Sequence, residues 1–261
     1  FNYFIRHTAF AITNAQSRFT LSAAKFILAD GKARMVTTDG HRLAYIERVT
    51  DASADAKMEA LIPKKALLEL VKISGESGED VSFGEDQNHI YFELDGLLLI
   101  TRKLSGNFPN YEMVMPKDND RVATFDLEEM KGAVRRVSLM ADERNRSIRL
   151  TVREGEIELS AQSSEEGAGN EVVPAECSGE ETTLGVNWQY LQESLNVISA
   201  VQSGDAEASS TENDGDKVRV KETTSPTRIS FEFKDANAGT QLRIAGDSPY
   251  DYRYVVMPLR I

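Results

Sequence analysis

The residues best suited to chemistry stand at one turn, Val36-Thr37-Thr38-Asp39-Gly40-His41-Arg42-Leu43-Ala44. A carboxylate and an imidazole lie two residues apart there, beside the Thr38 hydroxyl, and Ser105 offers a second hydroxyl elsewhere. Carboxylate, imidazole and hydroxyl are the parts of a hydrolytic group, in which the acid orients the imidazole and the imidazole takes the hydroxyl proton. The usual setting for that chemistry is missing, because the sequence holds neither a Gly-x-Ser-x-Gly elbow nor a Gly-rich phosphate loop. Three roles stay open for the turn: a plain surface turn, a hydrolytic turn using Asp39 and His41, or one wall of a binding pocket. Asp-Gly favours the positive φ of a two-residue hairpin, which predicts Thr38 and Arg42 side by side near its tip.

Metal and redox chemistry have little to work with. Cys177 is the only cysteine, and His7, His41 and His89 show none of the spacings of an imidazole metal site. No metal, cofactor or disulfide is expected, and a reducing cytoplasm fits. No run approaches the roughly 18 apolar residues of a membrane span, so no membrane partner is expected.

The net charge of −12 argues against a polyanionic partner until its distribution is read. Between Arg153 and Lys217 there are 15 acids and no Lys or Arg, which leaves 27 of the 42 acids for the rest of the chain against all 30 bases. The acidity is regional, and the remainder is slightly basic.

The elements that must position these groups follow a repeated order. Phe1, Phe4, Ile5, Thr8 and Ile12 have helical spacing over Phe1 to Thr13. Because the first residue is Phe1 and not Met, the chain is expected to begin inside an element of a longer protein. Arg18 to Leu28 alternates as a strand, Ala29-Asp30-Gly31-Lys32 reverses it and Ala33 to Thr38 returns. Pro63 is expected at the first position of a helix that closes at Gly75. Strands follow over 81–83, 89–94 and 97–104. The order then restarts. Asp126 with Glu129 forms a capping box ahead of the stripe Leu127, Met130, Ala133, Val134 and Val137, and a strand pair turns at Glu154-Gly155. Asn187 can cap a second helix carrying Leu191, Leu195 and Ile198, and strands over 228–233 and 240–244 follow. Both halves end in Val-Met-Pro, at Val114-Met115-Pro116 and Val256-Met257-Pro258. The repeat implies two similar α+β domains, 1–116 and 117–261, each with two helices packed on antiparallel sheets. Ser199 to Thr224, rich in Ser, Gly, Asp and Glu, reads as a solvated insertion without an assigned role.

Four motifs in this order, Thr38-Asp39-Gly40-His41-Arg42-Leu43, Gly106-Asn107-Phe108-Pro109-Asn110-Tyr111, Ser147-Ile148-Arg149-Leu150 and Tyr254-Val255-Val256-Met257-Pro258-Leu259-Arg260-Ile261, resemble the bacterial beta sliding clamp family, the processivity factor of the replicative DNA polymerase. The likeness spans nearly the whole chain apart from the insertion. It implies a protein of three similar domains, of which the second and third are present here, forming in full length a head-to-tail homodimeric ring around duplex DNA. Without the first domain the chain is expected to be a monomer in dilute solution.

The resemblance also assigns residues. DNA contact independent of sequence falls to Arg6, Arg18, Lys64, Lys65, Lys72, Lys131 and Arg135, since a few phosphate-attracting bases hold a duplex without fixing its register. The acidic segment would repel DNA from the wrong face. Leu139, Met140, Glu165 and Glu166 match the subunit interface. A groove between the two domains that takes short peptides from polymerase, clamp loader and repair polymerases would be walled by Leu21, Thr38, Gly40, His41, Arg42, Leu43, Pro109 and Val114, with Asn187, Tyr190, Val255, Val256, Met257, Pro258, Leu259 and Arg260. Apolar walls with a soft Met suit Leu and Phe anchors, each contributing roughly 1.5–3 kcal/mol before ordering costs, so binding near micromolar strength is expected. Met113 and Asn145 depart from the family pattern at the groove's edge. The function implied is processivity without catalysis. The competing readings are a repeat scaffold or adhesion module that binds no DNA, and a hydrolase built on Asp39 and His41.

Overall fold

A computed structural model of the chain describes residues 1–13, 19–50, 56–75, 81–94, 96–163, 167–208 and 226–260. Helix α1 (Asn2–Thr8) buries Phe4, Ile5, His7 and Thr8 and leaves Arg6 exposed. It stops short of the Thr13 predicted from spacing. The Thr8 hydroxyl donates to the Phe4 carbonyl at 2.7 Å, a side-chain bond that competes with the helix ladder, and a 3-10 turn over Ala9–Ala11 leads to extended Ile12.

Strands β1 (Ala23–Ala29), β2 (Lys32–Thr38), β3 (Arg42–Val49) and β4 (Met58–Pro63) come next. The strand predicted from Arg18 thus begins only at Ala23. Ala23 lies opposite Pro63, after which the neighbouring chain turns into α2 (Lys64–Ser74), so Phe19–Ser22 have no ladder to join and form a 3-10 turn. Arg18 itself lies outside the described residues. Pro63 is the cap of α2 and not its first turn, and Gly75, at φ 54°, ends the helix. A separate antiparallel sheet follows, made of β5 (Ser82–Glu85), β6 (His89–Leu94) and β7 (Leu97–Arg102).

The second half opens with β8 (Arg121–Asp126) and α3 (Leu127–Val137). The Asp126 carboxylate accepts from the Glu129 N–H at 2.9 Å, and Leu127, Met130, Ala133, Val134 and Val137 are all buried. Strands β9 (Ser147–Arg153), β10 (Glu156–Ser163), β11 (Gly167–Ser178) and β12 (Thr182–Asn187) lead to α4 (Trp188–Ala208), then β13 (Arg228–Phe233), β14 (Thr240–Ile244) and β15 (Asp251–Val256). Helix α4 runs through Ser199 into the stretch predicted as an insertion. The buried spacing Leu191, Ser194, Leu195, Ile198, Val201 continues past Ser199, and packing of that face outweighs the polar composition. The rest of the predicted insertion, 209–224, lies outside the described residues.

The chain divides into two compact units: Phe1–Met115 with Asp247–Val255, and Pro116–Gly246 with Val256–Ile261. The first unit contains the strand order β15-β3-β2-β1-β4 and the second β12-β9-β10-β11-β8-β13-β14. The order β4-β1-β2-β3 recurs as β12-β9-β10-β11, each preceded by one helix and followed by another, so the α+β repeat read from sequence is present in the fold. Phe26, Met35, Ile46, Ile62, Leu67 and Leu70 are fully buried in the first unit, and Met130, Val134, Leu159, Leu195 and Ile198 in the second. Each such side chain contributes about 1.5–3 kcal/mol of burial.

Candidate functional site

The Asp39 turn is closed differently from the prediction. Thr38 pairs with Leu43, so four residues, Asp39 to Arg42, form the loop, and Thr38 and Arg42 are not cross-strand partners. Only Gly40 has positive φ, at 92°, because the Asp39 carboxylate replaces the second turn residue. Its Oδ1 accepts from the His41 and Arg42 N–H groups at 3.0 and 3.1 Å, and its Oδ2 accepts from Arg42 Nε at 3.0 Å. The Thr38 hydroxyl donates to the Arg42 carbonyl at 2.6 Å and accepts from the Gly40 N–H at 3.0 Å. Arg42 is buried, donates to the Phe10 carbonyl at 3.1 Å and lies 5.4 Å from the Phe10 ring centre.

This geometry removes the hydrolytic reading. The carboxylate holds backbone and guanidinium, His41 points to solvent, and among the described residues no hydrogen bond joins its ring to an acid or a hydroxyl. It also revises Arg42, which supports the turn with two of its nitrogens. Of the first-unit groove candidates, Gly40, His41, Pro109 and Val114 are exposed, whereas Leu21, Thr38 and Leu43 are buried.

The strand that leads to the C-terminal candidates is seated by aromatic packing within the first unit. Tyr250 stacks on Tyr3 with ring centres 3.9 Å apart, Tyr252 meets His7 edge-on at 5.0 Å, and Tyr254 meets Phe10 at 5.3 Å. Alternate positions approaching and along β15 advance by about 6.6 Å, close to the rise of three or four helical residues, so a period-two strand can match Tyr3, His7 and Phe10 in register. Val255 and Val256 are buried, while Met257, Pro258 and Leu259 are half-buried and Arg260 is exposed. In the second unit the Leu259 N–H donates to the Gly185 carbonyl at 2.8 Å. Two residues along β12, Asn187 Oδ1 caps α4 by accepting from the Gln189 and Tyr190 N–H groups at 2.9 and 3.4 Å. Asn187 and Tyr190 are half-buried. Leu259 and Arg260 also line an open cleft of about 780 Å³ on the second unit.

Of the predicted DNA-facing residues, Arg6, Lys65, Lys72 and Arg135 are exposed. Lys72 pairs with Glu69 at 2.8 Å, Lys64 donates to the Ile12 carbonyl at 3.2 Å, and Lys131 pairs with Glu128 and donates to the Ser199 hydroxyl, both at 2.7 Å. Leu139 is exposed in a 3-10 turn, and Met140 packs over Gly169. Glu165, Glu166 and Ile261 lie outside the described residues.

The acidic segment is less bare than its sequence implies. The sheet brings Arg153 to Glu156 and Glu158 at 2.6 and 3.1 Å and Arg228 to Glu176 at 2.6 Å, and α3 brings Arg136 to Glu171 at 2.8 Å. Among the described residues no three His, Cys, Asp or Glu are grouped to hold a metal ion, and no helix is long and apolar enough to cross a membrane.

Comparison with known proteins gives these placements a family. Residues 1–110 match the family model of the DNA polymerase III beta subunit, central domain, and residues 112–207 that of its C-terminal domain. The beta sliding clamp of Pseudomonas aeruginosa is 26% identical over 98% of this chain and 62% of its own length, and that of Caulobacter vibrioides 29% identical over 98% and 63%. The chain therefore spans between half and 63% of the length of the curated relatives it matches. Among solved structures, the DNA polymerase III subunit beta from P. aeruginosa superimposes with a TM-score of 0.84 at 27% identity, covering 99% of this chain and 64% of the other. A P. aeruginosa sliding clamp bound to griselimycin gives 0.84 at 25%, covering 100% and 63%. The chain belongs to the bacterial beta sliding clamp family, with residues 1–110 and 112–207 carrying its central and C-terminal domains.

Proposed function

We propose that this chain serves a DNA sliding clamp, acting in the cytoplasm as the processivity factor of a replicative polymerase with no catalytic step of its own. The observation that carries this is the succession of two family domains in one chain, on a repeated fold that superimposes on sliding clamps over its full length. In the full-length protein, two copies close as a homodimeric ring, with Leu139 and Met140 at the subunit interface. Duplex DNA is held by weak phosphate attraction from Arg6, Lys65, Lys72 and Arg135, which favours sliding over fixed binding. Lys64 and Lys131 support the helices that carry these bases, through the contacts described above.

Short peptides from polymerase, clamp loader and repair polymerases dock on the tail residues Met257, Pro258 and Leu259 beside Asn187 and Tyr190. Gly40, His41, Pro109 and Val114 form the exposed docking group of the first unit. A half-buried Met among apolar neighbours accepts Leu or Phe without a rigid shape requirement.

The test is a fluorescence titration with a labelled Leu/Phe-bearing polymerase tail peptide. The expected Kd is about micromolar, and Met257→Ala should weaken it at least tenfold, the equivalent of about 1.4 kcal/mol, while the unfolding midpoint stays put. Equal affinity for both proteins overturns the tail assignment. For DNA, the full-length ring carrying Lys65→Glu and Lys72→Glu should leave circular DNA faster at low salt; unchanged retention removes these residues from the DNA face.

A further inference from the structure

We propose that the cleft on the second unit is a receptor for an acidic peptide segment, with Arg149 as its central contact. This rests on the reading above that partner peptides dock at the tail, and extends it along the sheet.

The cleft floor is one row of the ladder. Leu259 bridges Gly185, Gly185 pairs with Arg149, Arg149 with Ser160, and Ser160 with Asn170. Cross-strand partners project to the same face, and the neighbours Ile148, Leu150 and Leu159 are buried on the opposite one. Gly185 adds no side chain to the row, and Leu259, Arg149, Ser160 and Asn170 line the cleft. The volume, about 780 Å³, falls in the range that holds a drug-sized ligand or a few peptide residues.

The charges in the cleft are unbalanced among the described residues. Among the described residues neither Arg149 nor Arg260 forms an ion pair, and both are exposed. The carboxylate in the lining, Glu158, is 3.1 Å from the Arg153 guanidinium. Elsewhere Arg153 and Arg228 in the acid-rich sheet, and Arg136 on the helix α3 beside it, are each matched to a carboxylate. Two unmatched guanidiniums beside the Ser160 hydroxyl and the Asn170 amide offer forked donors for a carboxylate and further partners for a peptide backbone. A nucleic acid fits less well, because Glu158 and its acidic neighbours repel a continuous run of phosphates while isolated carboxylates can be placed between them. Leu259 and Arg260 belong to both the tail and the cleft wall, so a peptide anchored at the tail carries its flanking residues over the row.

Two labelled peptides with one Leu/Phe motif test this, one flanked by Asp and Glu, the other by Asn and Gln. The acidic flank should bind the wild-type chain 5- to 20-fold more tightly, and the gain should shrink as salt rises. Arg149→Ala should abolish the gain and leave the neutral-flank peptide unaffected. Equal binding of the two peptides to wild type, or equal weakening of both by Arg149→Ala, overturns the receptor. If the neutral-flank peptide fails to bind, the docking reading falls. The receptor is then judged alone by tetraglutamate titrated at millimolar concentration against the Arg149 side-chain NMR signal, where no shift, or a larger shift with a short DNA duplex, overturns it.

Discussion

His7 should make the first unit sensitive to mild acid. Its side chain is fully buried in α1, Nδ1 lies 2.9 Å from the Tyr3 carbonyl, and among the described residues Nε2 has no hydrogen-bond partner. The Tyr3 and Tyr252 rings flank it at 4.0 and 5.0 Å. A proton on Nε2 would put a charge where nothing accepts it, and burial lowers the pKa from 6.5 to about 4 against the smaller opposing effect of the Tyr3 carbonyl. Above pH 6.5 the imidazole is neutral folded or unfolded and pH changes nothing. Between 6.5 and 4 the unfolded chain takes the proton and the folded chain does not, so stability falls with pH and levels off below 4. From pH 7 to pH 5 the loss is about 2 kcal/mol, a drop of roughly 1 M in urea midpoint.

The assay is urea unfolding at both pH values, followed by circular dichroism for the whole chain and by fluorescence of Trp188, the single tryptophan, for the second unit. The wild-type drop should appear in the circular dichroism and not in the Trp188 signal. In His7→Phe, which keeps a ring against Tyr3 and Tyr252, it should vanish. A His7→Phe protein that loses as much stability as wild type between pH 7 and pH 5 would refute the reasoning, since carboxylates would then be responsible.

Two further outcomes follow from the geometry. Glu47 is pushed up by burial but held down more strongly by Arg34, Lys32 at 2.7 Å and the Tyr45 hydroxyl at 2.9 Å, to about 2; its stabilising effect is complete above pH 4.5 and disappears as pH falls toward 2, so Glu47→Gln should flatten the acid limb of a midpoint-versus-pH curve below pH 4.5 and leave the pH 7 to 5 interval unchanged. Asp126→Ala removes the cap that receives the Glu129 N–H and should lower the second unit's stability by about 1 kcal/mol in urea titrations read by Trp188.

The sequence carried the elements whose cause is local. The α3 stripe, the Asp126 and Asn187 caps, and the two-residue turn at Asp30-Gly31, where φ is 55° and 69°, were all readable from neighbouring residues. The same dipeptide at Asp39-Gly40 misled, because a buried arginine three residues on recruits the carboxylate and lengthens the loop. Strand β11 was passed over for a related reason. Its Gly, Glu and Pro residues carry no local strand signal, but Gly167 to Pro174 pairs with β10 and Ala175 to Ser178 with β8. Pro174, which has no N–H to donate, sits where the strand exchanges one partner for the other.

The candidate site was half legible for the same physical reason. A motif names the residues of a tail, but what holds the tail is long-range. Tyr250, Tyr252 and Tyr254 alternate as in any strand, and Tyr3, His7 and Phe10 recur as on any helix. Nothing in either segment says that the two periods meet. Once they do, the rings fix the last strand against α1, and the Leu259 bond to Gly185 sets the tail on the row that includes Arg149. In the sequence Arg149 stands only as one residue of the Ser147-Ile148-Arg149-Leu150 motif, with no role of its own. Its significance comes from the sheet, which among the described residues matches neighbouring arginines to acids and leaves this one without a carboxylate, and that difference exists only in the pairing register.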